Sequence, residues 1–298
     1  MAKRKLSLEL NQNLYAYLLN LPALVIIFLT ILFPIGYSFH VSLLNWNLKR
    51  PQRIPFVGLK NYVDILTEAE FLHTLRTTFV FVFFSVALIM ILGTAIALLL
   101  NQNFKGRGLV RAFILIPWAI PAVVNGIMWK WILDSSYGIL NALLKAMGLI
   151  DSYIPFLSKP TSAFAFAVVA NVWKRIPFAI ILLLAGLQTI PDELYEAATV
   201  DGASTWQKLW KITLPMISST IMVVLIFQTM ISLRVFDLIY VLTSGGPGDA
   251  TEVIGWELYK TAFQFLHVGQ GSALGYIIAL ITFLLAIIYY KLLYRKIY

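Results

Sequence analysis

The chain has 298 residues, of which 60% are hydrophobic and only 12% charged, with a net charge of +9 and no cysteine. A soluble domain carries roughly 25% charged residues, so these proportions exclude an ordinary water-soluble fold and point to a polytopic membrane protein, whose basic excess belongs to its loops rather than to nucleic-acid binding. Without cysteine there are no disulfides, zinc–thiolate sites or thiol nucleophiles.

In chain order, the basic start "MAKRKLSLELNQNLYAYLL" leads into an apolar stretch too long for a signal-peptide core, so the segment is expected to be retained. Six membrane spans are predicted near 17–40, 76–101, 109–133, 163–187, 213–241 and 272–293, in one all-α transmembrane domain over 1–298. At about 1.5 Å per residue each is long enough for a hydrocarbon core of about 30 Å. The fifth is long enough to tilt or to project beyond the bilayer. "FVGLKNYVDIL" suits a short helix in the loop after span one, and residues 102–108 make spans two and three a tight hairpin. "LTSGGPGDATEVI" after span five is a loop, because Gly-Gly-Pro-Gly does not sit in a regular helix.

Lysine and arginine set the orientation. With both termini inside, the cytoplasmic side carries Lys3, Arg4, Lys5, Lys105, Arg107, Arg111, Lys208, Lys211, Lys291, Arg295 and Lys296. The outer loops are longer and hold a sparser set, so charge density favours this topology, although Lys49, Arg50 and Arg53 make the first outer loop basic too.

Residues 188–212 then face the cytoplasm. Pro191 opens a helix whose first turn holds Asp192 and Glu193, where the helix dipole favours negative charge. Leu194, Ala197 and Ala198 share a stripe, and Gly202 ends the helix. Ser204 and Gln207 form a capping box for a second helix with an apolar stripe of Trp206, Leu209 and Trp210. The local chemistry thus specifies helix, turn, helix; an amphipathic hairpin in the lipid interface is one reading of it.

The spacing supplies the other. Glu196-Ala197-Ala198, three residues, Gly202, nine residues, Ile212, one residue, then Leu214-Pro215 resembles the EAA loop of bacterial ABC importer permeases. Residues 171–215, "FVGLKNYVDIL" and "LTSGGPGDATEVI" are similar to the maltose/glycerol-phosphate branch of carbohydrate permeases, and to its larger-type subunit. The extra N-terminal spans and large outer insertion of the enterobacterial maltose subunit are not in this sequence. The resemblance implies a type I ABC importer permease in the cytoplasmic membrane, with spans two to six as the shared core and span one outside it. It implies that Glu196, Ala197, Ala198, Asp201, Gly202, Leu214 and Pro215 couple the chain to a separate ATPase: the glutamate as anchor, the alanines for close packing, the glycine for the bend. It also implies a second permease, two ATP-binding subunits and an extracytoplasmic solute-binding protein, which the outer loops would touch. No G-x-x-x-x-G-K-[ST] phosphate loop is present, so no catalytic role is expected, and ATP and magnesium would be held by the partner subunits.

Polar groups inside the spans are the remaining candidates. A central Lys or Arg facing lipid costs about 2.5–3.5 kcal/mol, so Lys174 and Arg175 should face a cavity or a partner. Asn171, Trp173 and Lys174 precede Pro177, which can kink span four, and Gln228 and Ser232 share a face of span five. These six are candidates for the solute path, and the resemblance implies a sugar or polyol phosphate along these two spans. Arg234 and Asp237, at i and i+3, are expected to form an internal ion pair. Trp118, Trp129 and Trp131 fit an interfacial aromatic belt better than a sugar-stacking surface. His40, His73 and His267 lack metal-ligand spacing, and "GSALG" at 271–275 permits close helix packing. A self-powered secondary transporter of a small polar solute is the alternative; it would show repeat symmetry and paired broken helices, and would leave 191–212 without a task.

Overall fold

The computed structural model describes Tyr15 and residues 17–293. The terminal basic residues Lys3, Arg4, Lys5, Arg295 and Lys296 used in the orientation argument lie outside that range. The described chain is almost entirely helical. Four helices are each long and apolar enough to cross a bilayer: α1 (Tyr17–Ser42), α3 (Ala69–Asn101), α7 (Pro160–Leu187) and α13 (Val268–Leu293). Two bent pairs bring the number to six if each pair makes one crossing: α4 (Arg107–Ala119) with α5 (Ala122–Ile132), and α9 (Thr205–Met216) with α10 (Ser218–Leu233). The shorter helices are α2 (Lys60–Thr67), α6 (Ile139–Ala146), α8 (Asp192–Val200), α11 (Asp237–Leu242) and α12 (Ile254–Tyr259). The described residues pack as two compact units, one running up to residue 65 and including 261–276, the other of 66–260 with the residues from 277 on.

In the first unit α1 is exposed along its apolar window. The loop after it is tied by main-chain bonds from Asn45 N to Pro55 O and from Val57 N to Leu43 O, each 2.9 Å. The α2 helix forms where "LKNYVDIL" predicts it. Its Asn61 is buried because its amide donates to the carbonyls of Ser42 and Leu44, at 2.8 and 2.9 Å, satisfying the end of α1. A Cβ on Gly269 would lie 2.0 Å from the Leu44 carbonyl oxygen, so only glycine admits this approach.

The core of the second unit lies between α3, α7, α10 and α11, around Phe81, Ile89, Ile180, Leu183, Val224 and Ile239. Small residues make this possible. Ala163, Ala167 and Ala170 are fully buried along α7, and a Cβ on Gly93 would touch that of Ala179 at 3.4 Å. A Cβ on Gly186 would lie 2.6 Å from Thr220 Oγ1, which fixes the crossing of α7 and α10.

Two expectations need correction. The predicted span at 109–133 is two helices meeting at 97°. Pro121 lacks a donor and pushes Ile120 out of the helical region, to φ −72, ψ 130. Pro177, which can kink span four, lies inside an α7 that runs unbroken from Pro160 to Leu187. The predicted fifth span at 213–241 starts earlier, at Thr205, bends 68° and stops at Leu233. Pro215 removes a backbone donor just before the bend. Residues 234–236 then interrupt the helix, and Gly255 packs there so closely that a Cβ would lie 2.5 Å from the Val235 carbonyl oxygen.

Candidate functional site: a polar cleft between bent spans and an exposed helix pair

The break at Ile120 has a partner. Lys174, in the middle of α7, donates its Nζ to the Ile120 carbonyl, a group released from the helix by Pro121. One residue on, Arg175 Nε donates to Asn171 Oδ1 at 2.6 Å, and Asn171 Nδ2 donates to Ser232 Oγ at 3.5 Å. Gln228 Nε2 donates to the Arg175 carbonyl at 3.2 Å. The predicted residues Asn171, Gln228 and Ser232 are therefore brought together, as buried cross-links between α7 and α10. The Gln228 Oε1 atom is buried without a hydrogen-bond partner.

The open surface is a cleft of about 100 Å³ lined by Trp118, Lys174, Arg175, Phe178, Phe227, Gln228 and Ile231. Phe178 and Phe227 stack with centroids 4.4 Å apart, and Trp118 lies 6.0 Å from Phe178. Lys174 and Gln228 thus line the cleft. Trp173 turns instead to Trp129, at 6.1 Å edge to face, and Pro177 is buried. Phe178 and Phe227 escape sequence reasoning because nothing separates them from the surrounding apolar run. Trp118, read as a belt residue, lines the cleft.

Arg234 and Asp237 do not pair. Their i, i+3 spacing requires a helix, and the helix ends between them. Arg234 is exposed, and Asp237 Oδ1 accepts from its own neighbour Leu238 N at 3.0 Å. Lys260 forms ion pairs with Glu252 and with Glu257. Glu70 joins them, giving three carboxylates within 4.8 Å of one another, with the Lys260 ammonium against two of them. Burial, and next a hydrogen bond from Glu257, push the Glu252 carboxyl up to about 7, against the pull of Lys260.

The segment 188–212 folds as its sequence predicts. Pro191 is the N-cap of α8 rather than its first helical residue, with Asp192 and Glu193 in the first turn. The helix closes on Asp201 and on Gly202 at φ +75. Gly202 N bonds Thr199 O at 3.1 Å and Ala203 N bonds Ala198 O at 2.8 Å, the two bonds of a Schellman turn. Ser204 N donates to Gln207 Oε1 at 2.8 Å, and Gln207 N donates to Ser204 Oγ at 3.3 Å, completing the capping box of α9. Tyr195 is the residue that faces inward, its hydroxyl 2.9 Å from Thr213 Oγ1. Leu194, Glu196 and Ala197 are exposed, as are Val200, Trp206 and Trp210; Ala198 is half-buried. Leu214 packs against the core and Pro215 is exposed. A concavity of about 350 Å³ lies in the elbow, between Ala198, Asp201, Gly202 and the lysines of α9.

Apolar crossing helices, a polar and aromatic cleft at their bends, and an uncovered amphipathic elbow define a membrane permease subunit. Residues 89–297 match the family described as binding-protein-dependent transport system inner membrane component, and the chain belongs to that family. It is 41% identical to the trehalose/maltose transport system permease protein MalF of Thermococcus litoralis, over 97% of this chain and 95% of that one. It is 36% identical to the trehalose transport system permease protein SugA of Mycobacterium tuberculosis, over 93% and 88%. The fold is that of a permease chain in a bacterial alginate ABC transporter crystallised with an alginate pentasaccharide-bound periplasmic protein, with a TM-score of 0.80 at 23% identity, over 95% of both chains. The chain is thus an ABC transporter permease, a multi-pass inner-membrane component.

Proposed function

We propose that the solute is a sugar, and that it passes along the cleft between α4, α7 and α10 when a separate ATPase pulls on the α8–α9 elbow. The aromatic wall carries the solute part of this reading: Trp118, Phe178 and Phe227 offer apolar faces to sugar C–H groups, beside Lys174, Arg175 and Gln228 as polar partners. Relatives named for trehalose, maltose and sulfoquinovosyl glycerol support the same class. A site that swallows a small ligand has roughly 300–1,000 Å³, so a cleft of about 100 Å³ is one wall of a path. A second permease subunit supplies the other.

The energy enters from outside the chain. Two ATP-binding subunits hold ATP and magnesium, one of them gripping Glu196, Ala197, Ala198, Asp201 and Gly202 on the cytoplasmic side, where both termini also lie. An extracytoplasmic binding protein delivers the solute. The single observation that carries this is the elbow, a locally over-determined turn with apolar side chains left uncovered: Val200 is 88% exposed and Trp206 67%. The test is ATP-dependent uptake of trehalose and maltose into liposomes holding the assembled complex. Uptake by this chain alone, without an ATPase, would overturn the assignment.

A further inference from the structure

The first unit holds a second polar concavity, of about 540 Å³, lined by Asn45, Asn47, Lys49, Arg50, Arg53, Pro55 and His267, with no carboxylate in the lining. It is not part of the solute cleft, and its residues lie outside the 89–297 family match except His267. We propose that it seats the phosphate of an anionic phospholipid whose acyl chains run along α1.

The cleft is built by the main chain. Asn45 N bonds Pro55 O at 2.9 Å, Leu48 N bonds Leu266 O at 2.9 Å, Gly269 N bonds Trp46 O at 3.1 Å, and Arg53 N bonds Arg50 O at 3.1 Å. Asn47 Oδ1 accepts from Lys49 N at 2.8 Å, which leaves the amide nitrogen of Asn47 as its donor toward a ligand. Two arginines, a lysine and amide donors around one hollow match an oxyanion, and the guanidinium fork suits phosphate in particular.

Its depth identifies the source of that phosphate. The apolar helix α1 ends at Ser42, just before Asn45, and α13 opens at Val268, just after His267. The cleft therefore sits where two hydrophobic helices leave the hydrocarbon, at the level of lipid headgroups. The N-terminus of the long α13 adds positive potential there. Below the cleft, α1 exposes about half of the Phe39, Ile35 and Leu32 side chains, with the Phe39 ring edge-on to Tyr276, a surface that acyl chains fill. A soluble phosphate would use the cations and leave that apolar wall idle, whereas a phospholipid uses both. Each cation near an anionic headgroup contributes about five-fold in affinity.

The test compares the purified full chain with a Lys49→Gln, Arg50→Gln, Arg53→Gln variant in mixed micelles of dioleoyl phosphatidylglycerol and dioleoyl phosphatidylcholine, counting retained lipids by native mass spectrometry. The three side chains are exposed, so folding, checked by gel filtration, is expected to survive; Arg53→Gln alone serves if it does not. The wild-type chain should retain phosphatidylglycerol over phosphatidylcholine, and the triple variant should lose that preference by on the order of a hundred-fold. Millimolar inorganic phosphate or glycerol phosphate should leave the bound lipid in place. Equal retention by both chains, displacement by the soluble phosphates, or a variant that keeps its lipid and loses docking of the solute-binding protein would each overturn the proposal. The readout is lipid, not transport, so it stands or falls apart from the sugar assignment.

Discussion

Lys174 donates its ammonium to the carbonyl of Ile120, the residue at which the third hydrophobic segment turns through 97°. The cation that would be costly in lipid thus satisfies a backbone acceptor that would also be costly there. Each resolves the other's cost, and their meeting ties α7 to the bend between α4 and α5. Lys174→Met should therefore loosen that bend and lower the apparent melting temperature in detergent, since an orphaned buried acceptor costs about 1–3 kcal/mol. Lys174→Arg should recover part of the loss. Full stability and full uptake in Lys174→Met would show that the contact has no structural role.

Gly202 poses a different problem, because a Cβ there would meet nothing within 4 Å. The constraint is its φ of +75 alone. A left-handed residue with a side chain costs about 1–2 kcal/mol, and asparagine is tolerated better than most. Gly202→Val should leave membrane insertion intact, open the α8–α9 elbow, and abolish copurification with the ATPase. Gly202→Asn should retain most of it. If both variants copurified equally and supported equal uptake, the coupling role of the elbow would be lost.

What the sequence discloses follows from how local the signal is. The elbow is legible almost atom by atom, because a Schellman glycine and a capping box are specified within four residues of each other. The long helices are equally legible from unbroken apolar runs. The bend at Pro121 is not, because "PWAIPAVVNG" keeps its hydropathy through the break, and hydropathy records burial in lipid rather than direction. Arg234 and Asp237 mislead for a related reason: their spacing has meaning only in a helix that the packing of Gly255 on Val235 interrupts. Asn171, Gln228 and Ser232 could be grouped from sequence as intramembrane polar residues. That they bond to one another, while Phe178 and Phe227 stand at the opening, depends on how α7 crosses α10.

Glu252 gives the chain a pH dependence with a definite sign. Its carboxyl is raised from an ordinary 4.5 to about 7, first by burial and then by Glu257, with Lys260 opposing. In the folded chain it keeps a proton that the unfolded chain releases, so its contribution is fully present below the ordinary value. That contribution is lost as pH rises through about 7. The melting temperature should be higher at about pH 5.5 than at about pH 8, and Glu252→Gln should flatten the difference. Lys260, raised by its two glutamate partners despite burial, stays charged throughout that window. A profile unchanged by Glu252→Gln would assign the dependence to other groups.

The stacked pair Phe178 and Phe227, with centroids 4.4 Å apart, is the sharpest test of the solute path. Both rings are half-buried, so truncating one removes packing as well as a surface for the sugar. The two effects separate by substitution. Phe227→Leu keeps most of the apolar volume but removes the π face, whereas Phe227→Tyr keeps the face. An aromatic contact is worth about 0.5–1.5 kcal/mol beyond its area, which corresponds to a rise of up to roughly ten-fold in the half-saturating solute concentration. Uptake in proteoliposomes should show that rise for Phe227→Leu, with the melting temperature close to wild type, and little change for Phe227→Tyr. Loss of stability without any change in half-saturation would make the pair a packing element between α7 and α10, and the sugar would then have to pass elsewhere.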